Sequence, residues 1–301
     1  MIILTDKPGQ LCNRLWSYAP FIAHSLKSGN RLVVPLFGDY AHLFENLNRN
    51  PLIRFIKVNN QHYFRGLHLI FKLCRGLPNP LLLKLNIYVD TDKWGNETWS
   101  REVLFGKHNI VFSSGWGQPN LDDILLDYRE QIKAIFEPRL EYTARTRSFW
   151  RSRRNTYDVI VGVHIRRGDY KRFRGGAYYY DHQAYANYVQ QLILDPQFSG
   201  RRIGFFFCSN EPIDYSRSSG VEVFHLPKAR NVEDLYALSL CDYIIGPPST
   251  FSMWASFCGQ VPLRILRYSA EQIDVKQFSP IVAQNKFANG SFFEHIQSDE
   301  F

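Results

Sequence analysis

Two adjacent arginines, Arg166 and Arg167, directly follow an apolar, β-branched run that extends from Val159 to Ile165. Such a run predicts a strand that is buried on both faces of a parallel sheet. In open α/β sheets, ligands bind just beyond the carboxyl ends of the strands. A guanidinium at that place can donate two parallel hydrogen bonds to a phosphate, so either arginine is a candidate to hold a diphosphate. A strand-end salt bridge to Asp169 is the alternative interpretation.

Polar residues follow two other predicted strands in the same half of the chain. A polar loop at residues 209–211 follows the apolar run 203–208, and Ser249 and Thr250 precede a helix that we expect over residues 251–257. Small hydroxyl residues at a helix start place N–H groups where the helix dipole favours an anion. Ser249 and Thr250 could therefore complete a diphosphate site, although simple N-capping by Ser249 explains the same pattern.

The second half of the chain alternates predicted strands with predicted helices, which is typical of a doubly wound fold. We expect strands at 159–165, 203–208, 221–225, 242–245 and 261–266, and helices at 182–194, 231–240 and 251–257. Asn231 is expected to cap the second of these helices, and Asp234 to favour its N-terminus.

The N-terminus begins with a similar unit: a strand at 2–5, a loop, a helix from Leu11 to the stop signal at residues 29–30, and a strand at 31–36. The loop lacks the G-x-G-x-x-G pattern of dinucleotide-binding proteins. It places Asn13 and Arg14 in the first helical turn, where they either face a ligand at the strand ends or merely cap and solvate the helix.

The middle of the chain is less regular. Residues 37–110 alternate short apolar pieces with Asn, Gly and Pro and predict no clear element. A strand is expected at 110–112 and a helix from Asp122 to Phe136, and a basic helix or linker follows. We therefore place a domain boundary at 140–155 and predict an α/β chain of two domains, residues 1–150 and 151–301.

The net charge of +8 favours an anionic partner such as a phosphorylated substrate or a membrane surface. The densest basic run, Arg145–Arg154, contains no nucleic-acid-binding motif, so we expect no nucleic-acid partner.

Five scattered cysteines without C-x-x-C spacing argue for a reducing compartment and against structural zinc. With no secretory signal or transmembrane span in the sequence, we expect a cytoplasmic protein with at most peripheral membrane contact.

One sequence pattern could hold a divalent metal on a nucleotide diphosphate. Asp90-Thr91-Asp92 forms a D-x-D after the apolar run 85–89. Because this short pattern often arises by chance, we favour a site without metal.

Four stretches together resemble a known family. Residues 163–170 (VHIRRGDY) resemble the H-x-R-R-G-D-Y signature of the α-1,2-fucosyltransferases, which belong to the α-1,2/α-1,6/protein O-fucosyltransferase superfamily. Residues 9–19, 234–242 and 249–255 are similar to three other motifs of that family, in the same order and spacing. The resemblance is strong over 8–35 and 158–258.

The resemblance implies a GT-B fold of two Rossmann-like domains that face each other across a cleft. It also implies metal-independent, inverting transfer of fucose from GDP-fucose to a glycan hydroxyl. By position, Arg166 would contact the donor diphosphate and stabilise the departing GDP. Asn13 would reach the cleft from the acceptor-side N-terminal domain. The candidate donor-binding residues are Asn13, Arg14, His164, Arg166, Asn210, Glu211, Ser249, Thr250 and Phe251, and the candidate catalytic residues are Arg166 and Asp169.

This chain departs from the family pattern at two places. Arg14 replaces a glutamine, and Asn210-Glu211 replaces two aspartates. A carboxylate can accept from N1–H and N2–H of guanine together, whereas the amide oxygen of Asn210 can satisfy only one of them. The identity of the nucleotide base therefore stays open unless Glu211 takes the place of the missing aspartate. Asp169 is the nearest candidate for a catalytic base, but pairing with an arginine is the favoured role. A transferase using another sugar nucleotide and a non-catalytic nucleotide- or glycan-binding module remain alternatives.

Overall fold

The computed structural model describes residues 1–89, 110–114, 123–212 and 221–294. The chain divides into two compact units, Met1–Arg139 and Leu140–Phe301. The division lies at the start of the predicted boundary region 140–155, and the limit at residue 150 falls inside the first helix of the second unit. The basic segment that the sequence left as a helix or a linker is this helix.

In the first unit, the described residues form a five-stranded sheet in the order β3-β2-β1-β5-β4, with parallel neighbours throughout. The strands are β1 (Ile2–Leu4), β2 (Leu32–Val34), β3 (Ile53–Phe55), β4 (Ile87–Val89) and β5 (Ile110–Ser113). The helices are α1 (Leu11–Ser28), α2 (Gly38–Ala41), α3 (Gln61–Arg75), α4 (Asn79–Lys84) and α5 (Arg129–Ile135).

Helix α1 follows the prediction closely. Its inward positions, including Leu15, Tyr18 and Ile22, are fully buried. It ends at Gly29, whose φ of 74° is a left-handed conformation that glycine adopts without strain. The Gly29 N–H donates to the Ser25 carbonyl at 3.0 Å and so satisfies one of the last helical acceptors.

The second unit contains a parallel sheet whose described strands have the order β10-β9-β6-β7-β8. The strands are β6 (Val159–Ile165), β7 (Ile203–Ser209), β8 (Val223–Phe224), β9 (Tyr243–Gly246) and β10 (Leu263–Ile265). The helices are α6 (Leu140–Arg154), α7 (His182–Ile193), α8 (Asn231–Leu238) and α9 (Thr250–Gly259), and a small hairpin consists of β11 (Ile281–Ala283) and β12 (Lys286–Phe287).

Strand β6 lies at the centre of this sheet, and all seven of its residues are buried. Its register with β7 runs without a break from Val159 opposite Ile203 to Ile165 opposite Ser209. Strand β9 pairs with its other edge. Because the strands are parallel, their carboxyl ends lie at one edge of the sheet, which is where the predicted site residues follow.

Two predicted helices differ from the observed ones. The helix expected from Asp122 begins at Arg129, because the chain forms a 3-10 turn at residues 123–124 and turns at residues 125–128 before it. Ile124 and Leu125 are buried in this segment. Residues 115–122 lie outside the described residues. Asn231 does not cap α8 but is its first residue, and the Glu233 carboxylate accepts from the Arg230 N–H at 2.8 Å instead. None of the helices in the described ranges is long and apolar enough to cross a membrane.

The centre of β6 depends on a glycine. A Cβ atom at Gly162 would lie 2.6 Å from Cδ2 of Leu238 and 2.9 Å from Sγ of Cys241. Only a residue without a side chain therefore lets the end of α8 pack this closely on the strand.

Gly162→Ala should lower the free energy of unfolding by about 1–3 kcal/mol, because the added methyl group overpacks the core. Gly66→Ala in α3 is the matched control, since a Cβ there meets no described atom within 4 Å. The same change at that position should stabilise the helix by roughly 1 kcal/mol. Urea unfolding followed by circular dichroism should show shifts of opposite sign. A Gly162→Ala protein as stable as the wild type would contradict this packing.

Candidate functional site

Arg166 is the first residue after β6. Its Nη2 atom lies 2.9 Å from Oδ2 of Asp169, and its guanidinium lies 5.7 Å from the centre of the Tyr170 ring. The Asp169 side chain is 58% exposed, against 19% for Arg166. An ion pair so open to solvent contributes little stability, so an incoming anion can replace Asp169 at small cost. The structure thus gives Asp169 the arginine-pairing role that the sequence favoured.

Arg167 contacts residues of the loop after β7 and of α7. Its backbone N–H donates to Oδ1 of Asn210 at 2.8 Å, and its Nε lies 3.5 Å from Oε2 of Glu211. Its Nη1 lies 3.2 Å from Nε2 of His182. The guanidinium packs 4.8 Å from the centre of the Tyr179 ring, and its Nη2 donates to the Tyr179 hydroxyl. These contacts join the loop after β6 to the loop after β7, so Arg167 holds the two loops together.

Asn210 and Glu211 were predicted to contact the donor. In the structure, one oxygen of each faces Arg167. Gly168, with a φ of 58°, allows this approach, because a Cβ there would lie only 3.0 Å from Nδ2 of Asn210. Both side chains therefore position the loop. A donor contact for either remains a prediction.

His164, near the end of β6, is buried and lies against Phe251 with ring centres 5.1 Å apart. Burial lowers the pKa of His164 to about 3, and the nearby Arg166 cation contributes in the same direction. The imidazole is therefore neutral at physiological pH, with one donor and one acceptor nitrogen. Its Nδ1 is buried without a hydrogen-bond partner among the described residues. This leaves a polar atom that a ligand can satisfy.

Helix α9 begins beside the loop after β6. The Tyr170 hydroxyl donates to the carbonyl of Pro248, which directly precedes the N-cap residue Ser249. Ser249 Oγ accepts from the Phe251 N–H at 3.2 Å. The predicted N-capping role is therefore present, and the remaining N–H groups of the first turn, with Thr250, lie at an end where the helix dipole attracts an anion.

Asp234 is not among the site residues predicted from the sequence. It lies in the first turn of α8 and forms no hydrogen bond or ion pair with a described residue. Burial raises the pKa of Asp234 to about 7, and the Glu233 carboxylate adds to the shift. The Asp234 carboxylate helps to raise the pKa of the Cys208 thiol, and Cys208 lies opposite His164 in the β6–β7 register. The carboxylate is thus at the same sheet edge as His164.

A perturbed carboxyl of this kind, at the edge where the strands end, is a candidate site residue. Glu233, its neighbour, is different because it is paired: its Oε1 lies 2.8 Å from Nη1 of Arg145. The only sequence signal for Asp234 was its place at the start of the 234–242 motif. Its burial could not be read from the chain.

In the first unit, Arg14 is 4% exposed and already paired. Its Nη1 donates to the Leu36 carbonyl at 3.2 Å, its Nη2 lies 2.9 Å from Oδ2 of Asp39, and Tyr40 packs 4.7 Å from the guanidinium. Arg14 therefore fixes the loop after β2, and its predicted donor contact is untested. The Asn13 amide packs over Gly9, where a Cβ would come within 2.2 Å of Nδ2.

Among the described residues, no group of three or more His, Cys, Asp or Glu side chains could hold a metal ion. The Asp90-Thr91-Asp92 pattern, which was not favoured as a metal site, lies outside the described residues.

Comparison with solved structures shows that the fold is that of fucosyltransferases with a GT-B architecture, as predicted. NodZ, an α-1,6-fucosyltransferase soaked with GDP-fucose, is 16% identical with a TM-score of 0.53, over 88% of this chain and 94% of NodZ; another NodZ structure is of the Bradyrhizobium protein. POFUT1 in complex with GDP is 12% identical with a TM-score of 0.55, over 88% of this chain and 98% of POFUT1. A variant of Arabidopsis thaliana FUT1 with GDP is 12% identical with a TM-score of 0.54, over 97% and 78%.

A search of curated protein sequences found no match. The profile of glycosyl transferase family 11 matches residues 121–272, which include β6, the arginine pair, Asp234 and the start of α9. With the fold, this match confirms the predicted resemblance to the fucosyltransferase superfamily. The chain belongs to glycosyl transferase family 11.

Proposed function

We propose that this protein transfers fucose from GDP-fucose to a sugar hydroxyl of a glycan. The expected reaction inverts the configuration at C1, needs no metal and forms an α-1,2 linkage. The observation that carries the proposal is the placement of Arg166 at the buried end of β6, in a loop that Tyr170 ties to the N-terminus of α9.

The diphosphate is the first part of the donor that this edge suits. Arg166 can exchange the Asp169 carboxylate for phosphate oxygens and donate two charge-assisted hydrogen bonds to them. The first-turn N–H groups of α9 and the Ser249 and Thr250 hydroxyls supply further donors. Negative charge develops on the diphosphate as the bond to fucose breaks. A guanidinium fixed at that place stabilises the transition state more than the ground state.

The base is the second part. The neutral His164 ring and the Phe251 ring lie together, and the Asp234 carboxylate lies at the same edge without a described partner. Guanine presents two adjacent N–H donors, which one carboxylate can accept together. Asn210 stands where the family has an aspartate, which left the identity of the nucleotide base open. Asp234 would supply the missing carboxylate. Three of the similar structures contain GDP or GDP-fucose, which supports the same nucleotide here.

The acceptor-side role that the resemblance implies for Asn13 stays a prediction. Asp169 holds the Arg166 guanidinium in place until the donor diphosphate replaces it, and we assign Asp169 no proton transfer. We therefore infer that leaving-group stabilisation by Arg166 provides most of the catalysis.

Calorimetry in the presence of EDTA should show binding of GDP and much weaker binding of UDP and ADP, because only guanine matches a single carboxylate in this way. Selective UDP binding that requires manganese would contradict the proposal and favour a different sugar nucleotide. GDP binding without any turnover of GDP-fucose on a panel of glycan acceptors would instead support a non-catalytic binding module.

The same experiment has an expected pH dependence. The unliganded Asp234 carboxyl has a pKa of about 7. Guanine binds the charged form of Asp234, so GDP binding lowers the pKa of this carboxyl and releases a proton near neutral pH. GDP affinity should therefore fall as the pH drops below about 7, whereas His164 stays neutral down to a pH near 3. Asp234→Asn is the control: it should bind GDP weakly and lose this dependence, while the titration of the GDP phosphates is common to both proteins. An unchanged pH profile in Asp234→Asn would exclude Asp234 from base binding.

Arg166→Ala should reduce kcat by at least two orders of magnitude, which corresponds to ~3 kcal/mol or more of transition-state stabilisation. Arg151→Ala, which removes an exposed arginine of the same unit, is the matched control and should retain the wild-type rate. Initial rates of GDP release measure both, with circular dichroism to verify the fold. A near-native rate in folded Arg166→Ala would remove this residue from the mechanism.

A further inference from the structure

Helix α3 has apolar residues on two opposite faces. One face packs on the sheet: Phe71 is buried with Leu36 and Phe112, and Leu67 and Cys74 pack against this cluster. The other face contains Leu69 and Leu73, which are 57% and 62% exposed. These two leucines are four residues apart and each is two residues from Phe71, so they share one face and point away from the core. Ile70, 51% exposed, extends this second face.

The apolar exposure continues into the next helix. Leu81 and Leu85, at and just beyond α4, are also four residues apart and exposed. A water-facing side of a helix normally carries polar residues. Exposed apolar residues on two helices that only residues 76–78 separate therefore indicate a region that binds a partner. We call this surface, Leu69, Ile70, Leu73, Leu81 and Leu85, the α3–α4 apolar surface.

The segment that contains these residues carries charge of one sign. Between Glu45 and Asp90 the sequence contains no acidic residue but seven basic ones: Arg49, Arg54, Lys57, Arg65, Lys72, Arg75 and Lys84. Arg65 and Lys72 are exposed, lie two turns apart on one flank of the outer face of α3, and form no ion pair with a described residue. Exposed leucines bordered by unpaired cations match the chemistry of a bilayer with anionic headgroups.

We propose that the α3–α4 apolar surface docks reversibly on an anionic phospholipid bilayer. The leucines and Ile70 enter the boundary between headgroups and acyl chains, while Arg65, Lys72 and Lys84 contact lipid phosphates. A second copy of the chain fits less well, because two such surfaces would bring like charges together. A nucleic acid would satisfy the cations but leave the leucines exposed. The inference is independent of the proposed transferase activity.

The test is co-sedimentation of the whole protein with vesicles. Partition into phosphatidylcholine vesicles with roughly 30% phosphatidylglycerol should exceed that into pure phosphatidylcholine by about tenfold and weaken as salt is added. Leu69→Gln/Leu73→Gln should lower the partition by about tenfold or more, since it removes the inserted apolar side chains. Arg65→Gln/Lys72→Gln should lower it chiefly at low salt.

Matched controls carry the same chemical changes elsewhere. Leu194→Gln removes a leucine that is 78% exposed in the second unit, and Arg151→Gln/Arg201→Gln removes two exposed arginines there. Both controls should bind vesicles like the wild type, and all variants should keep the wild-type circular dichroism spectrum and GDP affinity. Equal vesicle binding by wild type and Leu69→Gln/Leu73→Gln would overturn the proposal. So would absence of vesicle binding, including the case in which analytical ultracentrifugation shows self-association that the leucine substitutions abolish.

Discussion

The site depends on one electrostatic constraint: two cations must be held side by side where a fully buried strand ends. Strand β6 is covered on both faces, and Arg166 and Arg167 follow its last residue directly. Adjacent like charges at the border of an apolar interior need separate partners. The chain meets this need asymmetrically. Arg167 contacts Glu211, Asn210 and the helix beginning at His182, whereas Arg166 has the exposed Asp169 carboxylate.

This asymmetry explains how neighbouring identical residues can have different functions. The partners of Arg167 come from the loop after β7 and from α7, so releasing it would separate two loops. The ion pair between Arg166 and Asp169, in contrast, lies within one loop. In the proposed reaction, the donor diphosphate takes the place of Asp169, and Tyr170 keeps the loop joined to the start of α9 throughout. Docking through α3 and α4 would bring such an enzyme to acceptors at a membrane surface.

The sequence predicted the elements that carry the site and only some of its residues. Strands β6 and β7 could be predicted because an uninterrupted apolar run is typical of a strand that is buried on both faces of its sheet. Asp234 was missed because its pKa depends on burial, which local sequence does not specify. Helices α3 and α4 were missed because apolar residues on both faces of α3, with Gly76 and Pro78 between the helices, hide the helical period.

An NMR time course of GDP-fucose consumption, run in EDTA with a panel of glycan acceptors, tests the proposed transfer directly. Inversion at C1 of the β-linked donor should give an α-fucoside at O2 of the acceptor sugar, with one GDP released for each fucose transferred. Product with retained β configuration would contradict the inverting mechanism. Consumption of a uridine-linked sugar in place of GDP-fucose would contradict the central claim.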